Sequence, residues 1–172
     1  MQKALPLLFL AMTACSTAQT AETIGVSDVA VAQIRKADGT SHGVATLSRR
    51  TDGLWLNVSA TGLASGTYGI HLHTIGRCEA PAFTSAGPHW NPANKMHGFD
   101  NPMGAHAGDL RNLVVGTGGA GVLEAKIEGG QWDSAMDADG LSLIIHEKAD
   151  DYSTDPSGNS GARVICGVFG RP

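Results

Sequence analysis

Two histidines spaced two apart in "GIHLH", His71 and His73, are the first residues of the chain whose spacing suggests metal chemistry. On a strand they share one face, with Ile70 and Leu72 on the other. Their α-carbons then lie about 7 Å apart, a span that lets two ring nitrogens meet at one ion. The same parity recurs in "LSLIIHEKA", where Leu143 and Ile145 oppose His146. A lone HxH is a weak indication, and the third outward histidine strengthens it. Between these strands runs "HWNPANKMHGFDNPMGAHAGD", too rich in turn formers for a helix and without the alternation of a strand. A loop this long inside a compact domain usually has a function. It contributes His89, His97, His106 and Asp109, and three imidazoles with one carboxylate form a complete tetrahedral set for zinc, with Zn–N distances of about 2.0–2.1 Å. Having no open position, such a site would be structural and would order the loop. His71, His73 and His146 remain as an all-nitrogen group, which with a fourth nitrogen suits Cu(II). His42, the last of seven histidines, has no motif around it and reads as a surface residue.

The elements that must position these residues are short and extended. "SDVAVAQIRK" ends at Ala37-Asp38-Gly39, and "GVATLSRR" ends at Thr51-Asp52-Gly53; Asp-Gly is a strong hairpin signal. "LWLNVSATG", "TYGIHLHT", "DLRNLVVG", "GVLEAKIEG", "LSLIIHEKA" and "ARVICGVFG" follow. The glycines of "GTGGAG" form a hairpin turn and not a phosphate loop, because no helical pattern follows. Eight short strands and two long loops predict an all-β fold, an eight-stranded Greek-key sandwich or flattened barrel. Aromatic content of 5% and 23 glycines agree with that class. Trp55, Trp90 and Trp132 read as packing residues. A net charge of −4 with no basic stripe argues against a nucleic-acid partner.

The N-terminus, "MQKALPLLFLAMTACSTAQTAET", has one lysine, an apolar run from Ala4 to Met12 and then small residues. That run is too short to span a bilayer and reads as part of an export signal over residues 1–22, leaving one domain over 23–172. "MTAC" resembles a lipoprotein box ending at Cys15, which predicts a lipid tether to the membrane; cleavage after Ala18 is the rival, and a short buried helix the plain alternative. Export would place the mature protein in the periplasm. Of three cysteines, Cys78 and Cys166 remain in the domain, and an exported protein invites a disulfide between them. Two free buried thiols are the alternative if the export reading fails.

Taken in order, "GIHLH", "TSAGPHWNP", "HGFDNPMGAHAGDL", "LIIHEKADD" and "GNSGARVICGV" resemble the successive motifs of the copper/zinc superoxide dismutases, over nearly all of the mature chain. The resemblance implies one copper and one zinc per subunit, with copper ligands His71, His73, His89 and His146. It implies zinc ligands His89, His97, His106 and Asp109, so that His89 bridges the two metals. It makes Cys78 and Cys166 the family's disulfide, and Arg163 the arginine beside copper that guides an anionic substrate, superoxide. Without it, Arg163 would be read as a surface residue. Asp150 matches an aspartate that accepts hydrogen bonds from one ligand of each metal, here His71 and His97. Lys148 is a weaker candidate for guiding the anion, since a solvated pair with Glu147 explains it equally. The two long loops become a metal-binding, disulfide-bearing loop and an electrostatic loop. The implied reaction converts superoxide to oxygen and hydrogen peroxide. A periplasmic copper and zinc carrier without catalysis would share every ligand and is the competing class. The segment from Cys78 to His89 is long and carries Pro81 and Pro88, in a region that contributes to subunit contacts in many relatives, so monomer and homodimer both fit the sequence.

Overall fold

The computed structural model describes residues 28–171. The predicted signal segment, with Cys15 and Ala18, lies outside the described residues. Nine strands form one antiparallel sheet: β1 (Val29–Arg35), β2 (Ser41–Arg50), β3 (Gly53–Thr61), β4 (Gly66–Tyr68), β5 (Ile70–His73), β6 (Leu113–Val115), β7 (Ala120–Lys126), β8 (Ser142–His146) and β9 (Arg163–Val168). Their order is β4-β6-β7-β3-β2-β1-β9-β8-β5. The two strands at the ends of this order, β4 and β5, are consecutive in the chain and separated only by Gly69. The sheet must therefore curl until its edges adjoin, which gives the flattened barrel. The eight expected segments are all present, and the fourth is cut in two because Tyr68 pairs with Leu113 while Ile70 pairs with Ile145.

Alternation decides which side chains fill the barrel. Ala30, Ala32 and Ile34, Leu54, Leu56 and Val58, and Ile70 and Leu72 all face one core together with Leu143, Ile145 and Ile165. Trp90 and Trp132 join that core, whereas Trp55 sits at the surface, donating its indole N–H to Asp52 Oδ1 at 2.9 Å under the Arg50 guanidinium. Ile144, of opposite parity, packs outside the barrel with Phe83, Ala86 and Cys166, against the segment after Cys78. The Cys78–Cys166 disulfide ties that segment to β9.

Two expectations change. The fifth segment, read as a strand from Asp109, is regular only over Leu113–Val115, because the residues before it are drawn into side-chain and backbone contacts with the two long loops. His42 is buried, at 4% exposure, and not a surface residue. It lies on β2 with its Nδ1 at 2.8 Å from the Thr61 carbonyl, so the end of β3 covers it.

Candidate metal centre

β5 is the edge that receives the long loop. The Leu72 N–H donates to Gly108 O, and Leu72 O accepts from the Trp90 N–H, at 2.9 and 2.8 Å. Gly108 N–H in turn donates to Trp90 O at 2.8 Å. Two stretches of loop thus run alongside one short strand, with isolated bridges pairing His71 with Asp109 and His73 with His89. Once Leu72 points into the barrel, its neighbours must meet the loop's histidines. β8 pairs with β5 on the other side and delivers His146, whose cross-strand partner on β9 is Arg163.

Two buried groups result. His71, His73, His89 and His146 form one, and His71, His89, His97 and Asp109 the other, each with potential ligand atoms within 4.8 Å of one another. His106 joins the second group through its Nδ1, which lies 3.1 Å from Asp109 Oδ1. His89 Nδ1 and His97 Nδ1 approach that same oxygen at 2.9 and 3.0 Å. Three imidazole nitrogens and a carboxylate oxygen at this spacing are close to the edge of about 3.3 Å that four ligands make around an ion with bonds of about 2.0 Å. His71 stands next to this group but uses its Nε2 elsewhere, donating to Asp150 Oδ2 at 2.6 Å.

The first group is defined by what its nitrogens lack. His71 Nδ1, His73 Nε2, His89 Nε2 and His146 Nε2 are all buried without a hydrogen-bond partner. In each ring the other nitrogen is engaged: His73 Nδ1 donates to Gly87 O at 2.9 Å and His146 Nδ1 to Gly161 O at 3.3 Å. Engaging one nitrogen leaves the lone pair of the other aimed inward, the orientation that metal-binding histidines need. Buried polar atoms are rarely left unpaired, so four converging orphans call for a ligand. Burial also disfavours the charged rings, pushing His73 down to about 2, His71 to about 3 and His146 to about 4. At neutral pH these imidazoles therefore present free lone pairs. Both groups fit metal cations, and the chemistry of their donors differs: four nitrogens in one, three nitrogens and an oxygen in the other.

Asp150 links the groups. Its Oδ2 accepts from His71 and its Oδ1 from His97 Nε2, at 2.6 and 3.1 Å. Burial alone would keep His97 neutral, but hydrogen bonds to Asp109 and Asp150 outweigh it and raise the ring to about 9. Burial opposes ionisation of Asp109 and Asp150 as well, and the surrounding histidines hold both well below the usual carboxylate range. Gly158 packs on this carboxylate with φ +63°. A Cβ there would fall 1.8 Å from Asp150 Oδ1 and 2.8 Å from His97 Nε2, so the site admits only glycine.

Of the residues expected from the sequence, His71, His73, His89, His97, His106, Asp109, His146 and Asp150 lie together in this constellation. Arg163 is half-buried beside it: its Nη1 donates to Phe83 O and its Nη2 to Gly87 O, both at 2.8 Å, and its charge bears on His73 and His146. Lys148 is exposed. Sequence reasoning missed Asn112, whose side chain brackets the Asp150 backbone. Its Nδ2 donates to Asp150 O at 2.9 Å and its Oδ1 accepts from Asp150 N at 2.8 Å. It also missed Gly87, whose carbonyl serves both His73 and Arg163. Neither residue carries a local motif, and the partners lie 38 and 76 residues away or, for His73, 14.

Residues 41–169 match the family described as copper/zinc superoxide dismutase (SODC). A superoxide dismutase-like protein of Bacillus subtilis, YojM, is 44% identical over 144 residues, covering 80% of this chain and 74% of that one. A copper/zinc superoxide dismutase of Caulobacter vibrioides is 37% identical over 148 residues, covering 81% and 84%. The solved Cu/Zn superoxide dismutase of Brucella abortus superposes with a TM-score of 0.67 at 26% identity, over 82% of this chain and 99% of that one. The chain belongs to the copper/zinc superoxide dismutase family.

Proposed function

We propose that this protein dismutes superoxide, 2 O2•− + 2 H+ giving O2 and H2O2, with a copper and a zinc that its two histidine groups would hold and His89 as a residue of both. The observation that carries the reading is the position of that one ring, with its orphaned Nε2 among His71 Nδ1, His73 Nε2 and His146 Nε2 and its Nδ1 against Asp109. Copper would be held by those four nitrogens, and zinc by His89, His97, His106 and Asp109. When bound, copper supplies reversible one-electron chemistry, oxidising one superoxide and reducing the next, while zinc has no redox chemistry of its own.

The chain's residues supply position, field and protons. His89 Nε2 is the buried atom that can hold a proton between the two half-reactions and pass it to the second superoxide; solvent supplies the other. Its Nδ1 is fixed on the opposite side, so the ring keeps its place whichever state Nε2 is in. Arg163 provides the positive charge that an anion needs on a protein of net charge −4. Local fields of this kind act despite the overall sign and weaken with added salt. Two backbone acceptors hold the guanidinium in place, and no carboxylate pairs with it among the described residues. Arg163→Ala is expected to lower kcat/KM several-fold or more, to flatten its salt dependence and to leave bound copper unchanged. An unaltered rate would remove Arg163 from the mechanism.

The name of the B. subtilis relative, superoxide dismutase-like, favours a second reading in which the metals are held without catalysis. Pulse radiolysis of metal-loaded protein, with metal-free protein as control, separates the two: the carrier reading predicts equal superoxide decay and ours a large excess in the loaded sample. We further propose that the protein works in the periplasm after export, with Cys15 as a lipid attachment site. The leader sequence and the Cys78–Cys166 disulfide support an oxidising compartment. The mass of the mature N-terminus checks both points.

A further inference from the structure

Tyr152 occupies the left-handed region at φ +62°, uncommon for a bulky residue and sustained only where surrounding contacts over-determine it. Those contacts converge on the metal centre. The Tyr152 N–H donates to Asp150 Oδ1 at 2.6 Å, its carbonyl accepts from Asp100 N at 2.9 Å, and its hydroxyl accepts from Asn112 N at 2.8 Å. Gly98, next to His97, passes so close that a Cβ would lie 2.0 Å from the Tyr152 carbonyl oxygen. Over this junction lies an exposed stack. The Arg111 guanidinium carbon is 4.3 Å from the centre of the Phe99 ring and 5.0 Å from that of Tyr152, and the two rings meet at 5.8 Å and 62°. Phe99 is 37% exposed and carries the Arg111 guanidinium on its face.

We infer that Arg111, set between Phe99 of the loop that carries His97 and Tyr152 of the loop that carries Asp150, is a positioning residue that slows zinc release. Phe99 is two residues from His97, and Tyr152 two from Asp150. The cation holds the two loops at the spacing where Asp150 Oδ1 meets His97 Nε2. Without it, Tyr152 can relax from its strained backbone, carrying its N–H away from Asp150 and freeing the His97 ring to turn. Among the described residues Arg111 makes no hydrogen bond or ion pair to a proposed ligand, and it acts through the rings. The inference rests on zinc being held by His97, as proposed above.

The test uses protein loaded with both metals and an excess of a chromogenic zinc chelator. Arg111→Ala and Phe99→Ala are each expected to speed zinc release about five-fold, the size of an exposed cation–π contact. Arg111→Lys should fall between these and the parent, since an ammonium retains the charge but not the planar stack. The double variant Arg111→Ala/Phe99→Ala should speed zinc release by less than the product of the two single effects, because the Arg111–Phe99 contact is lost in both. Release within two-fold of the parent in both single variants, or additive effects in the double variant, would overturn the inference. Parent protein that takes up no zinc would instead sink the metal assignment. The clasp is then judged on hydrogen exchange of the Tyr152 amide, which rises in Arg111→Ala if the clasp fixes Asp150 and is unchanged if it does not.

Discussion

Replacing His146 with alanine is expected to bring superoxide decay down to that of metal-free protein, while about one equivalent of zinc stays bound. The ring is buried on β8, its Nδ1 on the Gly161 carbonyl and its Nε2 among the orphaned nitrogens. Alanine removes one of four donors and opens the side of the group next to Arg163. The remaining three cannot close around a copper ion that favours a fourth nitrogen. The second group is untouched, because His89, His97, His106 and Asp109 all come from the long loop and meet at a single carboxylate oxygen. Elemental analysis of the purified variant, beside its superoxide decay rate, checks both halves. Equal loss of zinc and copper would show that the division into two groups is wrong. Retained activity with copper still bound would remove His146 from the copper side. Asp150→Ala should act differently, weakening both metals by about ten- to a hundred-fold, as loss of a carboxylate that orients bound histidines commonly does.

The sequence carries the parity of this site more clearly than its supports. A strand's period of two fixes that His71 and His73 leave the barrel on the face opposite Ile70 and Leu72, and the same rule places His146. Turn residues mark the loop, and its donors are countable. The resemblance then supplies the sharing of His89, which periodicity alone leaves open: the spacing of residues offers two groups and no fourth nitrogen for one of them. What stays hidden are contacts made across the fold by residues of no marked type. Asn112 reads as one more residue of a strand, yet it is held out of the sheet to bracket Asp150. His42 stands beside a glycine at the start of β2 and looks solvated, and only the closing of β3 over it makes it buried. The break at Gly69 is invisible for a similar reason. "TYGIHLHT" alternates without interruption, and the change of partner from β6 to β8 is imposed by the closure of the barrel. Arg111 has no signal at all, since its two rings lie 12 residues before it and 41 after it in the chain.

Reducing the Cys78–Cys166 disulfide, or replacing Cys78 with serine, is expected to cost roughly 4–5 kcal/mol of stability, since a cross-link spanning 88 residues removes much of the unfolded chain's freedom. For a domain of this size that corresponds to a fall in Tm of roughly 10–20 °C, readable by calorimetry on the metal-free protein, where ligand binding does not mask it. The bond does more than restrain the unfolded chain. It fastens to β9 the segment whose carbonyls, at Phe83 and Gly87, hold the Arg163 guanidinium, and whose Gly87 oxygen also fixes the His73 ring. Phe83, Ala86 and Ile144 pack around Cys166 and keep part of this segment in place without the bond. Loss of the disulfide should therefore lower kcat/KM well before it lowers bound copper, because Arg163 reaches its acceptors only through this segment whereas His73 is also held by its place on β5. Combining Cys78→Ser with Arg163→Ala tests that order of events. If the arginine is what the disulfide positions, the double variant should lose little more activity than Arg163→Ala alone. A fully additive loss would mean that the bond serves stability and leaves the approach of the anion unchanged.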